Sequence, residues 1–306
     1  MAGDSSPAIH TQDLAKRYGH VTALAGLTMT VPKGEIFGFL GPNGAGKTTS
    51  VKLLLGLTEP SAGQAWLLGA PIGDLAARRK IGYLPELFRY QGFLTAREVL
   101  AFHCELARVP RSGWKEEIAE ALATVGLADR ADDRCQTFSK GMQQRLGLGV
   151  ALLGRPELIF LDEPTSALDP VGRHDVREIT RALRDRGTTV FLNSHLLSEV
   201  EMVCDRAAVV DHGRVIAVGT IDELLRDADV VRVRLGGLNG RLGDLAGFKA
   251  PSADGEWLTF RGVAEDRVPE LVSELVRLGG RVYAVEPRRQ SLEDRFLQLL
   301  DEEDAR

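Results

Sequence analysis

At 306 residues the chain is long enough for one large domain and a small one, each with its own core. With 44% apolar and 26% charged residues the composition is that of a globular protein, and a net charge of −5 argues against a general nucleic-acid binder, which needs a basic balance. The cysteines, Cys104, Cys135 and Cys204, form no CxxC pair and read as reduced intracellular thiols, not a disulfide framework or a zinc site.

The N-terminus, MAGDSSPAIH, has no basic segment leading an apolar core, so no signal peptide is expected. No apolar run approaches the roughly 18–20 residues that cross a bilayer, so any service to a membrane is expected from the cytoplasm, through a partner. HVTALAGLTMTVPKGEIFGFL predicts strand, turn, strand, and its continuous apolar run Ile36 to Leu40 fits a strand buried on both faces. TTSVKLLLGL follows with helical character, and TEPSAGQAWLLG predicts a turn and an edge strand. From Ala96 to Leu152 the pattern is mainly helical, with apolar residues three and four apart in TAREVLAFHCELARV and KEEIAEALATVGL. ELIFLDEP and TTVFLNSH are core strands flanking a helix, DVREITRALRDRG, and DRAAVVDHGRVIAVG predicts strand, tight turn, strand. Beyond Arg226 the character changes to a small α/β unit. DVVRVRLGGL, EWLTFRG and RVYAVEP read as its strands, EDRVPELVSELVRLGG and SLEDRFLQLL as its helices.

Strands alternating with helices predict an α/β domain with a mostly parallel sheet, in which ligands sit at the C-terminal strand ends. Gly41, Asp162 and His195 fall at such ends. GPNGAGKTT, made of Gly41, Pro42, Asn43, Gly44, Ala45, Gly46, Lys47, Thr48 and Thr49, matches the phosphate-loop pattern between a strand and a helix. Its glycines let backbone N–H groups curl around phosphates, the helix N-terminus adds positive potential, Lys47 supplies a full charge, and Thr48 offers a hydroxyl to Mg²⁺. Asp162 is placed to hold Mg²⁺ through water, and Glu163 to take a proton from attacking water.

FSKGMQQRL, Phe138 to Leu146, resembles the signature sequence of ABC ATPases, and the other elements follow in that family's order from about Ile9 to Leu225. The resemblance implies a P-loop NTPase fold of α/β class: an ABC-type core with a mostly parallel sheet, an antiparallel β-subdomain and a helical subdomain. The expected division is 1–225 for the ATP-binding domain, with its helical subdomain at about 90–155, and 226–306 for a C-terminal accessory domain. The resemblance further implies two such domains closing head to tail around two ATP molecules. Ser139 and Gly141 would then touch the γ-phosphate across the interface and Asp169, in SALD, would link the two sites. His195 would contact the γ-phosphate within its own subunit, and Tyr18 would stack on adenine. The other histidines have no such context.

Two positions depart from the family pattern. Lys140 stands where the signature usually has glycine, and Glu86, in LPE, stands where the family usually has glutamine near Mg²⁺ and the attacking water. SKGM, LPE and the terminal SLEDRFLQL resemble ATPases of export permeases, and Tyr83 to Leu106, with Phe88, Tyr90, Phe93 and Phe102, is expected to receive a cytoplasmic helix of a transmembrane permease. The dimer partner is a second copy or a paralogous ATPase, no nucleic acid is expected, and the location is cytoplasmic, peripheral on the inner face of the membrane. A soluble ABC ATPase acting on ribosomes or DNA is the alternative; an importer subunit and a non-catalytic ATP-binding regulator are less favoured readings.

Overall fold

The computed structural model describes residues 6–166, 168–225, 229–237, 245, 247–248, 250–289 and 291–304. The chain divides into two units, Met1–Val218 and Gly219–Arg306.

The first unit opens with strands β1 (Ile9–Tyr18), β2 (Val21–Val31) and β3 (Ile36–Leu40), then helix α1 (Lys47–Leu54). Next come β4 (Ala62–Leu67), β5 (Ala70–Pro71), α2 (Leu75–Arg78) and β6 (Ile81–Leu84). Three helices follow: α3 (Ala96–Leu106), α4 (Trp114–Thr124) and α5 (Lys140–Ala151). The unit closes with β7 (Leu158–Asp162), α6 (Pro170–Asp185), β8 (Thr189–Asn193), α7 (Leu197–Val203), β9 (Arg206–Asp211) and β10 (Arg214–Thr220), whose last two residues lie past the unit boundary.

A six-stranded sheet in the order β10-β9-β3-β8-β7-β6, parallel from β9 to β6, forms its centre. Every residue of β3, β7 and β8 is buried, which their unbroken apolar runs required. Phe191 anchors the layer, its ring 5.2 Å from both Phe39 and Phe160. Because β3, β8 and β7 are neighbours, the loops leaving their C-terminal ends converge.

A second, four-stranded sheet has the order β2-β1-β4-β5. This corrects two sequence expectations: β4 is interior, not an edge, and β1 is a strand the hydrophobic pattern did not reveal. Register shifts between Thr11 and Leu14, with Asp13 at φ 48°, break the alternation of β1, so its burial does not follow a period of two. β6 was also missed, being short. Helices α3 to α5 form the helical subdomain, and α3 begins in a reciprocal cap in which Thr95 accepts from the Glu98 N–H while Glu98 accepts from the Thr95 N–H.

The second unit contains α8 (Ile221–Leu225), β11 (Asp229–Gly236), β12 (Ser252–Asp254), β13 (Trp257–Arg261), α9 (Val268–Arg277), β14 (Arg281–Arg289) and α10 (Leu292–Asp304). Its antiparallel sheet, β12-β13-β11-β14, buries Val231, Val233, Leu258 and Phe260 with Leu271 and Leu275 of α9. α8 packs on α10 and so belongs here, on the C-terminal side of the break, whereas the sequence placed the break after it.

Candidate functional site

Residues 41–46 link β3 to α1 under tight steric control. A Cβ on Gly41 would lie 2.3 Å from the Val210 carbonyl oxygen of β9, and one on Gly46, at φ 96°, would lie 2.4 Å from that of Ala23 in β2. Ala45 closes the turn, its N–H donating to Pro42 O at 3.2 Å, while Asn43 and Gly44 at the tip are exposed. α1 starts at Lys47 without a side-chain cap and with no acid in its first turn, so that turn's N–H groups and the helix dipole face an anion unopposed.

Lys47 is buried, and its Nζ donates to Gly41 O at 2.7 Å and Pro42 O at 3.1 Å. Burial lowers its pKa, opposed by the negative charges of Glu163 and Asp162. Thr48 is exposed and Thr49 half-buried on the first turn of α1.

Asp162 ends β7 in register with Asn193 of β8. The Asn193 side-chain amide donates to Asp162 Oδ1, and the Asn193 carbonyl accepts the Glu163 N–H at 2.9 Å. Glu163 stands at φ 52°, a backbone conformation uncommon for a non-glycine residue, which turns the chain sharply out of the sheet. Its Oε2 lies 2.7 Å from His195 Nδ1, yet this buried oxygen has no aligned hydrogen-bond donor among the described residues.

Burial raises the pKa of both acids. For Asp162 the Asn193 hydrogen bond opposes the rise and Glu86 adds to it; for Glu163 the opposition comes from His195 and then Lys47. A half-desolvated carboxylate of raised basicity beside an imidazole can accept a proton from water. The hydroxyl of Thr48 and the carboxylate of Asp162 are hard oxygen donors that fit Mg²⁺, an ion held through few protein ligands plus phosphate and water.

The structure therefore brings Lys47, Asp162, Glu163 and His195 together, with Glu86, exposed after β6, near enough to act on the charge of Asp162. Asn193 is the member that sequence reasoning missed; it lay in the LNSH segment, but its role is set by the neighbouring strand. No hydrogen bond or ion pair among the described residues joins Tyr18, Ser139, Gly141 or Asp169 to this group. Tyr18 is 48% exposed, with Lys16 Nζ 5.0 Å from its ring centroid. Ser139 caps α5, accepting from the Met142 N–H at 3.2 Å, and Gly141 lies in that helix's first turn. Asp169 caps α6, accepting from the Gly172 N–H at 2.8 Å; Ala167 of the same SALD segment lies outside the described residues.

A glycine loop running from a buried strand into an uncapped helix, with a buried lysine and an adjacent acid-ended strand, defines a P-loop nucleotide-binding protein of α/β class. Residues 24–166 match the ABC transporter family. An uncharacterised ABC transporter ATP-binding protein of Nostoc sp. is 41% identical over 97% of this chain and 91% of its own length. The Nod factor export ATP-binding protein I of a Rhizobium species is 37% identical over 98% of this chain and 99% of its own. A solved ATP-binding subunit of an ABC transporter superposes with a TM-score of 0.65 at 31% identity, over 72% of this chain and 92% of that one.

The chain belongs to the ABC transporter ATP-binding proteins, and the residues that match the family model lie within its first unit. Among the described residues, no helix is long and apolar enough to cross a membrane.

Proposed function

We propose that the chain hydrolyses ATP as the motor subunit of an export-type ABC transporter, driving a separately encoded permease from the cytoplasmic face of the membrane. The convergence of Lys47, Asp162, Glu163 and His195 at the ends of three adjacent strands is the observation that carries this reading.

In this reading the loop from Gly41 to Thr49 cradles the phosphates, and Lys47 leaves the Gly41 and Pro42 carbonyls for the β- and γ-phosphates. Thr48 and, through water, Asp162 would hold Mg²⁺, which would supply charge neutralisation on the phosphates. Glu163 takes the proton of the attacking water, and His195 keeps Glu163 aligned and touches the γ-phosphate. Glu86 reports on the metal side of the site. Tyr18 offers its exposed ring to adenine.

Ser139 and Gly141, displayed at the N-terminus of α5, complete the site of a second copy or a paralogous ATPase, and Asp169 links the two sites. Closure of that dimer is then conditional on ATP. Export as the direction is supported by the Rhizobium relative, whose name specifies export and which aligns over nearly the whole chain. The permease surface is the aromatic segment after β6, where Leu87, Phe93 and Phe102 are 87%, 70% and 55% exposed. Phe88 and Tyr90 back it, their rings 5.3 Å apart.

A tagged Glu163→Gln variant, held in ATP and recovered from detergent-solubilised native membranes, tests the reading. A multi-span protein is expected to come down with it; recovery of ribosomes, DNA or soluble proteins alone would leave only the ATPase assignment standing.

A further inference from the structure

His195 sits between two supports. One is β8; the other is α7, which starts at Leu197, spans only Leu197–Val203 and has no side-chain cap at its N-terminus. A helix that short has little stability of its own and depends on what it packs against. α6 supplies that hold through a row of arginines on one face, at spacings of four and three residues. Arg177 Nη1 donates to both carboxylate oxygens of Glu199, each at 3.0 Å, and the two side chains are only 18% and 7% exposed. Arg181 donates to the carbonyl of Met202, at the C-terminal turn of α7, at 2.7 Å. Arg184 bonds Asp205 Oδ1 at 2.9 Å, and the other oxygen of Asp205 accepts the Ile36 N–H at the start of β3.

The other end of α6 belongs to the loop that follows Glu163. Asp169 caps it, Arg173 donates to Leu168 O at 3.1 Å, and Ser166 Oγ donates back to Glu163 O at 3.2 Å. α6 is thus a rod of about 24 Å with Leu168 and Asp169 at one end and α7 clasped along its side. The Arg177–Glu199 pair is the clasp nearest that loop and the most buried. A buried pair of this kind is weak evidence for stability, but removing one member leaves a stranded charge and displaces what the pair aligned.

We propose that Arg177 is a positioning residue for hydrolysis: through Glu199 it fixes α7, and with it His195, to α6, so that movement of the loop ending at Asp169 reaches the imidazole beside Glu163. This rests on the assignment of His195 to the ATPase site made above.

Arg177→Met and the milder Glu199→Gln are each expected to lower kcat about tenfold while KM for ATP stays within about twofold. Arg177→Lys, which keeps the charge, recovers part of the loss. Added to His195→Ala, Arg177→Met gives no further loss, because both act through one imidazole. Hydrogen exchange over residues 194–203 rises about tenfold in Arg177→Met, while residues 36–54 remain as protected as in the wild type. A purely structural pair would lower Tm without changing kcat of the folded protein. Multiplicative losses with His195→Ala, or unchanged exchange over 194–203, overturn the proposal. If His195→Ala alone leaves kcat intact, the assignment of His195 has failed, and that result is distinct from multiplicative losses in a protein where His195 matters.

Discussion

Asn193 holds both acids of the site, its side-chain amide donating to Asp162 Oδ1 at 2.5 Å and its main-chain carbonyl accepting the Glu163 N–H at 2.9 Å. Substitution separates the two links, since Asn193→Ala removes the amide and spares the carbonyl. A hydrogen bond to a charged group contributes about 1.5–3 kcal/mol, so Asn193→Ala should raise the Mg²⁺ concentration for half-maximal hydrolysis about tenfold or more. ATP binding measured without metal should be unaffected. An unchanged Mg²⁺ requirement would show that Asp162 is oriented by something other than this amide.

In the proposed mechanism Glu163 is a base only when deprotonated, and burial raises its pKa while His195 opposes the rise. The kcat profile should therefore lose activity on its acid side at a higher pH than an ordinary glutamate would give. His195→Ala removes the opposing influence, so its residual activity should fail at a still higher pH. Glu163→Gln should lose about 10²–10⁴ in kcat while retaining ATP. An acid limb that stays in place in His195→Ala would contradict the coupling seen at 2.7 Å.

The same raised pKa has a stability consequence. The folded state holds the Glu163 proton more tightly than the unfolded chain does, so its contribution is lost as pH rises from the ordinary carboxylate range through the raised folded value. At neutral pH the buried carboxylate is a net cost, and Glu163→Gln should raise the Tm of the nucleotide-free protein by about 1–3 °C. The difference should shrink as pH falls toward the ordinary carboxylate range. A lower Tm for the variant at neutral pH would mean that the contact with His195 outweighs desolvation.

The phosphate loop and the acid-ended strand were legible because their signals are local. Gly41 to Thr49 is continuous in sequence, and β7 and β8 are unbroken apolar runs buried on both faces. Asn193 was not legible, since what it does depends on lying opposite Asp162, a residue 31 positions away. β1 was hidden by its own bulges, and α8 falls in the second unit because it packs on α10, a contact no local pattern shows. Ser139 and Asp169 were picked out by family likeness; each also caps a helix, a second function that Ser and Asp perform anywhere such a start occurs.

Two loop glycines should respond differently to the same change. Gly41→Ala drives a methyl to within 2.3 Å of a backbone oxygen of the central sheet, which cannot yield without moving β9. Gly44, at φ 86°, has nothing within 4 Å of its would-be Cβ, so Gly44→Ala meets only backbone strain, of about 1 kcal/mol. Gly41→Ala should abolish ATP binding or folding, and Gly44→Ala should weaken ATP binding by no more than about tenfold. Equal losses would mean that the tip of the loop is as constrained as its base.

In the proposed reading the exposed residues Leu87, Phe93 and Phe102 face the permease. An apolar patch of this kind is normal when another protein covers it, and aromatic anchors at the centre of an interface often contribute 2 kcal/mol or more, as a rough guide. Phe102→Asp places an ionised group on that surface, at a position of α3 that points to solvent, so folding should be preserved. Recovery of a multi-span protein by the ATP-held Glu163→Gln variant should fall about tenfold or more when Phe102→Asp is added. ATP affinity should not change, because no hydrogen bond or ring contact among the described residues joins Phe102 to Lys47, Asp162 or Glu163. Undiminished recovery would move the permease contact elsewhere on the first unit while leaving the ATP site as described; loss of ATP affinity would instead show that α3 and the phosphate loop are energetically linked.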